Sequence, residues 1–143
     1  MSYVLFDIGG TKTRIAVSED LKSFSDPIKL NTSPNPKEGI KEIANTVKSL
    51  TDKEIRGVAG GIRGVLNHEK TELVTDPGGF LSGWVEEPLV DLFKKAFKSS
   101  IYLENDTAAA GLGEAIYGAG DGEDVVVYHT VSTGVGGVRI VCG

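Results

Sequence analysis

The chain opens on an apolar run, Tyr3 to Ile8, interrupted by Asp7 and closed by Gly9-Gly10-Thr11-Lys12. Thr13-Arg14-Ile15-Ala16-Val17 then alternates apolar and polar positions. Strand, glycine turn and alternating strand together predict a hairpin. Ile28 to Asn31 predicts a third strand, ended by Ser33-Pro34-Asn35-Pro36. Ile40, Ile43, Ala44, Val47 and Leu50 recur at helical spacing and predict a helix from Pro36 to Leu50, with Pro36 in its first turn. Ile55 to Ile62 reads as a glycine-bearing strand. Val65-Leu66 and Glu72-Leu73-Val74 read as short strands around a turn at Asn67 to Lys70. Asp76 to Gly83 reads as a loop, Pro88 as the opening of a helix reaching Lys98, and Ile101 to Glu104 as a strand. A helix follows from Thr107 to Tyr117, then a loop at Gly118 to Gly122. Asp124 to Val131 and Gly136 to Val141 close the chain as two strands.

This order predicts an α/β fold with a mixed sheet that starts with a β-hairpin and is flanked by helices. The last hairpin repeats the plan of the first: apolar strand, Gly/Thr turn, strand. Two units are therefore expected, a lobe over residues 1–120 and the first β-hairpin of a second lobe over 121–143. Val125-Val126-Val127-Tyr128 would then form an exposed apolar strand. Such an edge pairs readily with another chain, so a homo-oligomer is expected.

Composition narrows the function. The 143 residues suit one compact domain, and a net charge of −5 argues against a nucleic-acid partner. Lys94, Lys95 and Lys98 fit one solvated helix face. The one cysteine, Cys142, permits no disulfide within the chain and fits a reducing compartment. With no signal peptide or membrane span to read, a cytoplasmic location is expected. Glycine is the anomaly, with 19 residues clustered between apolar runs, which points to tight turns or close backbone approach to a ligand. His68 and His129 lack partners at ligand spacing, so no zinc site is expected.

Three motifs carry chemistry. In Asp7-Ile-Gly-Gly-Thr-Lys12, the amides of Gly9, Gly10 and Thr11 can converge on one phosphate, with the Thr11 hydroxyl and the Lys12 charge beside them. Asp7 can hold Mg²⁺ or one of its waters. No helix follows, so this is neither a P-loop nor a dinucleotide fingerprint. Alone, it also reads as an ordinary hairpin turn. Glu104-Asn105-Asp106-Thr107 sits at a strand-to-helix junction, where the helix dipole favours an ionised carboxylate. Such an aspartate can take the proton of a sugar hydroxyl during phosphoryl transfer, and Asn105 can bond the same substrate. Alone, the pair also reads as a helix N-cap. Ser132 to Gly137 offers a second phosphate loop. Ala59 to Gly64 and Asp76 to Trp84 can line a polyol pocket, unless Trp84 simply anchors its loop in the core.

Together these motifs resemble the ROK family of sugar kinases and repressors, within the actin-like ATPase (ribonuclease H-like) superfamily. Asp7 to Lys12 looks like the family's first phosphate motif, Asn105-Asp106 with Ala108 to Glu114 like its catalytic-aspartate motif, and Thr130 to Gly137 like its second phosphate motif. The resemblance implies the N-terminal lobe of an ATP-dependent sugar kinase acting on a hexose or N-acyl hexosamine. Asp106 would be the general base, and Gly61, Gly64, Asn105 and Asp106 would contact the sugar. Asp7, Gly9, Gly10, Thr11, Lys12, Thr133 and Gly134 would contact ATP, with Asp7 helping to place Mg²⁺. The alternative within the family is a non-catalytic sugar-binding or regulatory fragment. This sequence departs from the family where Ile62-Arg63 stands in place of a usual Gly-Pro, where Ala108 lies in place of a second Asn, and where Ser132 and Val138 replace frequent glycines. Family kinases are also longer, so these residues alone are expected to be inactive. No helix-turn-helix precedes Tyr3, so the repressor branch is not expected.

Overall fold

The computed structural model describes residues 1–131 and 135–141. The chain runs β1 (Ser2–Ile8), β2 (Lys12–Ser18), β3 (Ile28–Asn31), α1 (Pro36–Leu50), β4 (Ile55–Ile62), β5 (Val65–Leu66) and β6 (Leu73–Thr75). It continues with α2 (Leu89–Phe97), β7 (Ser100–Asn105), α3 (Asp106–Tyr117), β8 (Val125–Val131) and β9 (Val135–Val141). A 3-10 turn at Ser82–Trp84 interrupts the expected loop before α2. None of the described helices is long and apolar enough to cross a membrane.

Five strands pair in the order β3-β2-β1-β4-β7. The two leading neighbours, β1–β2 and β2–β3, are antiparallel, while β1–β4 and β4–β7 are parallel. Parallel neighbours need a crossover, and α1 and α2 lie in those connections. Strand alternation then decides which residues enter the core. Val4, Phe6 and Ile8 of β1 are buried with Ile40, Ile43 and Val47 of α1 and Leu89 and Phe93 of α2. Phe6 and Phe93 stack with ring centroids 4.9 Å apart. Each such aliphatic or aromatic side chain contributes about 1.5–3 kcal/mol by leaving water. The intervening residues of β1, among them Leu5 and Asp7, line a cleft on the opposite face.

Local signals fix the helix ends. Asn35 caps α1 by accepting the amides of Lys37 and Glu38, and Pro36 follows at the first helical position. Pro88 precedes α2 as its N-cap rather than lying inside it. Trp84 is fully buried, and its Nε1–H donates to the Ser33 carbonyl at 2.9 Å, so it anchors its loop in the core. The hairpin β8–β9 forms a separate sheet. It lies against α3 at Gly111, where a Cβ would come within 2.4 Å of Val138. Its outer face exposes Val125, Val127, Val131, Val135 and Val141.

Two helical glycines separate packing from propensity. In α1, a Cβ on Gly39 would meet the buried Trp84 ring at 2.8 Å, whereas Gly113 of α3 has nothing within 4 Å among the described residues. Alanine is favoured over glycine in a helix interior by about 1 kcal/mol, but overpacking a rigid core costs about 1–3 kcal/mol. Urea denaturation should therefore find Gly39→Ala less stable and Gly113→Ala more stable than the parent chain. The same sign for both would refute the packing argument.

Candidate functional site

A hairpin closed by Gly10 and Thr11 places Asp7 opposite Arg14, and the observed register pairs them. Arg14 donates to Asp7 Oδ2 at 2.7 Å. The pair is half exposed, where ion pairs contribute at most about 1 kcal/mol. Its consequence is therefore charge neutralisation rather than stability. The turn itself is held from β3. The Thr32 amide donates to the Thr11 carbonyl at 3.0 Å, and the Thr32 hydroxyl to the Gly9 carbonyl at 2.8 Å. Among the described residues, the Gly10 and Thr11 amides have no acceptor. Lys12 donates sideways to Asn31 at 2.5 Å. The space at Gly10 is not open: a Cβ there would lie 2.5 Å from Phe80 Cβ.

The parallel ladder carries the site across the sheet. Asp7 is in register with Gly61, and Gly61 with Glu104. A Cβ on Gly61 would come within 2.9 Å of Asp106 Cα, so the start of α3 rests on the end of β4. Asn105 is the N-cap of α3, its Oδ1 accepting from the Ala108 amide at 3.0 Å. Its Nδ2 also donates to the Gly64 carbonyl at 2.8 Å, tying the loop after β4 to the same junction. Gly64 has φ +110°, in the left-handed region that favours glycine. Asp106 is the first residue of α3, and its Oδ1 accepts from the Thr107 amide at 2.7 Å.

Asp7, Gly61 and Asp106 line one cleft of about 890 Å³, with Arg14, Lys70 and Glu104 on its walls and Tyr128 and Thr130 at the hairpin side. Clefts of this volume hold small molecules. Its charges are unequal in their partners. Arg14 neutralises Asp7, and Lys70 is hydrogen-bonded to Glu104. Among the described residues, Asp106 is the carboxylate of this cleft without a cationic partner. No group of three described His, Cys, Asp or Glu side chains forms a metal centre. Thr133 and Gly134, expected in the second phosphate loop, lie outside the described residues.

Sequence reasoning did not assign Arg14 or Lys70 to the site, and it included Phe80 only as part of the Asp76 to Trp84 loop. Arg14 was within reach, because a two-residue turn centred on Gly10 and Thr11 fixes its pairing with Asp7. Lys70 and Glu104 are 34 residues apart, and no local pattern announces their contact.

The ROK family profile matches residues 3–143. The chain belongs to the ROK family. A glucokinase of Thermotoga maritima is 35% identical over 140 residues, which are 96% of this chain and 44% of that protein. The solved ROK glucokinase of Streptomyces griseus, in complex with glucose and AMPPNP, superposes with a TM-score of 0.84 at 28% identity, covering 99% of this chain and 45% of that one. The ROK hexokinase of Thermus thermophilus gives 0.81 at 26% identity, covering 99% and 47%. The fold is that of the actin-like ATPases. This ROK chain thus spans less than half the length of each of these three relatives.

The junction of β7 and α3 makes the first site prediction. Asn105→Ala removes both the cap and the bond to Gly64, and cap loss costs about 0.5–2 kcal/mol. Asn105→Asp keeps a capping oxygen but sets a carboxylate against the Gly64 carbonyl. Both variants should unfold at lower urea than the parent chain. Parent-like midpoints for both would contradict the dual role.

Proposed function

We propose that this chain supplies the N-terminal lobe of an ATP-dependent sugar kinase, with Asp106 as the general base. The observation that carries this is the pattern of charge pairing in the cleft. A base must be free to meet a hydroxyl proton, and Asp7 and Glu104 are each held by a cation while Asp106 is not. The bond from the Thr107 amide to Oδ1 fixes the carboxylate and leaves Oδ2 for substrate. The relatives named glucokinase, and the related structure holding glucose and AMPPNP, support this substrate class. A hexose or N-acyl hexosamine is the acceptor we assign.

In this reading, Asp106 takes the hydroxyl proton as the sugar oxygen bonds to the γ-phosphorus and the bond to the ADP oxygen breaks. Asn105, with Gly61 and Gly64 beside it, orients the sugar. The unpaired Gly10 and Thr11 amides hold phosphate, with Gly9, Lys12, Thr133 and Gly134 around it. Asp7 Oδ1 has no partner among the described residues, while Oδ2 is bound to Arg14, so the carboxylate fits a water of a hydrated divalent cation. A magnesium ion bound with ATP would offset phosphate charge. Residues 121–143 are the first hairpin of the second lobe in this reading, and the exposed valines of that hairpin are an association surface.

Asp106→Asn, made in a longer protein that contains this chain, should lower kcat by about 10²–10⁴-fold with little change in the sugar KM. Retained kcat would refute the assignment. The 143 residues alone should not phosphorylate hexoses, because the cleft cannot close without a second lobe. Robust turnover by these residues would refute that part.

A further inference from the structure

The loop from Arg63 to Leu81 lies against the glycine turn through a contact that the kinase reading leaves unused. Arg63 directly follows β4, and its amide donates to the Ile8 carbonyl at 2.9 Å, the last residue of β1 before the turn. Its Nε donates to Asp76 Oδ1 at 3.2 Å, and a terminal guanidinium nitrogen donates to the Pro77 carbonyl at 2.8 Å. The Asp76 side chain is 1% exposed and also accepts the Leu81 amide, so both ends of the loop are tied to one buried carboxylate. The guanidinium lies 4.9 Å from the centre of the Phe80 ring, within cation–π range. Phe80 remains 44% exposed, yet its Cβ and ring fill the space beside Gly10. A large apolar side chain is thus held at the surface, on the turn, by an arginine fixed at three points.

We propose that Phe80, backed by Arg63, is a positioning residue for the phosphate turn. Thr32 ties the Gly9 and Thr11 carbonyls from the β3 side. Phe80 closes the other side at Gly10. Between these two supports lie the Gly10 and Thr11 amides, which have no acceptor among the described residues. Backbone amides bind an anion well only when their orientation is fixed beforehand, since reorientation on binding subtracts from affinity. The same loop belongs to the sugar side, so the contact also joins the two halves of the site. Ile62-Arg63 occupies the stretch where the ROK pattern carries Gly-Pro, which makes the arginine support a feature of this chain's own sequence.

The proposal rests on the phosphate reading of the turn, and the test separates the two. Amide ¹⁵N relaxation of the 143-residue chain would be measured for the parent, Phe80→Ala, Phe80→Tyr and Arg63→Gln, and each would be titrated with inorganic tripolyphosphate. In Phe80→Ala, order parameters at Gly10 and Thr11 should fall from about 0.85 toward 0.6, while those of Thr107 and Ala108 stay unchanged. The tripolyphosphate Kd should rise roughly tenfold, as expected when a contact group is misplaced. Arg63→Gln should shift both in the same direction, and Phe80→Tyr, which keeps the ring, should restore both. Unchanged order at Gly10 and Thr11 in Phe80→Ala would overturn the proposal. Tighter tripolyphosphate binding by Phe80→Ala would also overturn it, by making the ring an obstruction. If the parent binds no tripolyphosphate, the nucleotide reading falls, and the positioning claim stands or falls on the order parameters.

Discussion

Near the end of β4, Gly60 and Gly61 leave no room for a side chain on either face. On one face, a Cβ at Gly60 would lie 2.1 Å from the Phe6 carbonyl oxygen of β1. On the other, a Cβ at Gly61 would meet the backbone of Asp106. The close approach on the second face lets α3 begin directly on the strand. It brings Asp106 beside the register partners Asp7 and Gly61, on one side of one sheet. With alanine at Gly61, the first turn of α3 would have to move outward. The cleft exists because two backbones touch where side chains would ordinarily hold them apart.

From that contact the electrostatics follow. A carboxylate at the start of a helix is stabilised by the amides there, and Asp106 already accepts one from Thr107. Glu104 accepts the Asn105 amide in the same way, but it and Asp7 each also lie beside a basic side chain. Three carboxylates along one cleft are thus divided by their cationic partners into two that are neutralised and one that is open. In the proposed reading, that division leaves Asp106 as the base and its neighbours as supporting structure. The same junction ties in the loop after β4, through Asn105 and the Gly64 carbonyl.

Much of this was legible in the sequence wherever the signal was local. The bounds of α1 are Pro36 and Leu50 as read, because a first-turn proline and a five-residue apolar stripe agree. The first hairpin and the Asn105 cap were legible for the same reason. What was not legible depends on distant residues meeting. Trp84 was balanced between pocket and core, and its bond to the Ser33 carbonyl, 51 residues away, decided for the core. Gly10 read as room for an incoming anion, but its space is filled by Phe80, 70 residues further on. Neither partner has a periodicity that points to the other. The pairing of Lys70 with Glu104, which singles out Asp106, is hidden in the same way. The ROK resemblance was legible despite such gaps because each motif is contiguous, and the family match over residues 3–143 agrees with it.

The central claim is that Asp106 is the carboxylate that meets the substrate. A crystal structure of a longer protein containing this chain, with a hexose and AMPPNP bound, tests it most directly. The account predicts a sugar hydroxyl oxygen about 2.6–3.2 Å from an Asp106 carboxylate oxygen, with Asp7 and Glu104 still beside Arg14 and Lys70. A hydroxyl placed instead against Asp7 or Glu104, with Asp106 turned to a cation, would contradict it.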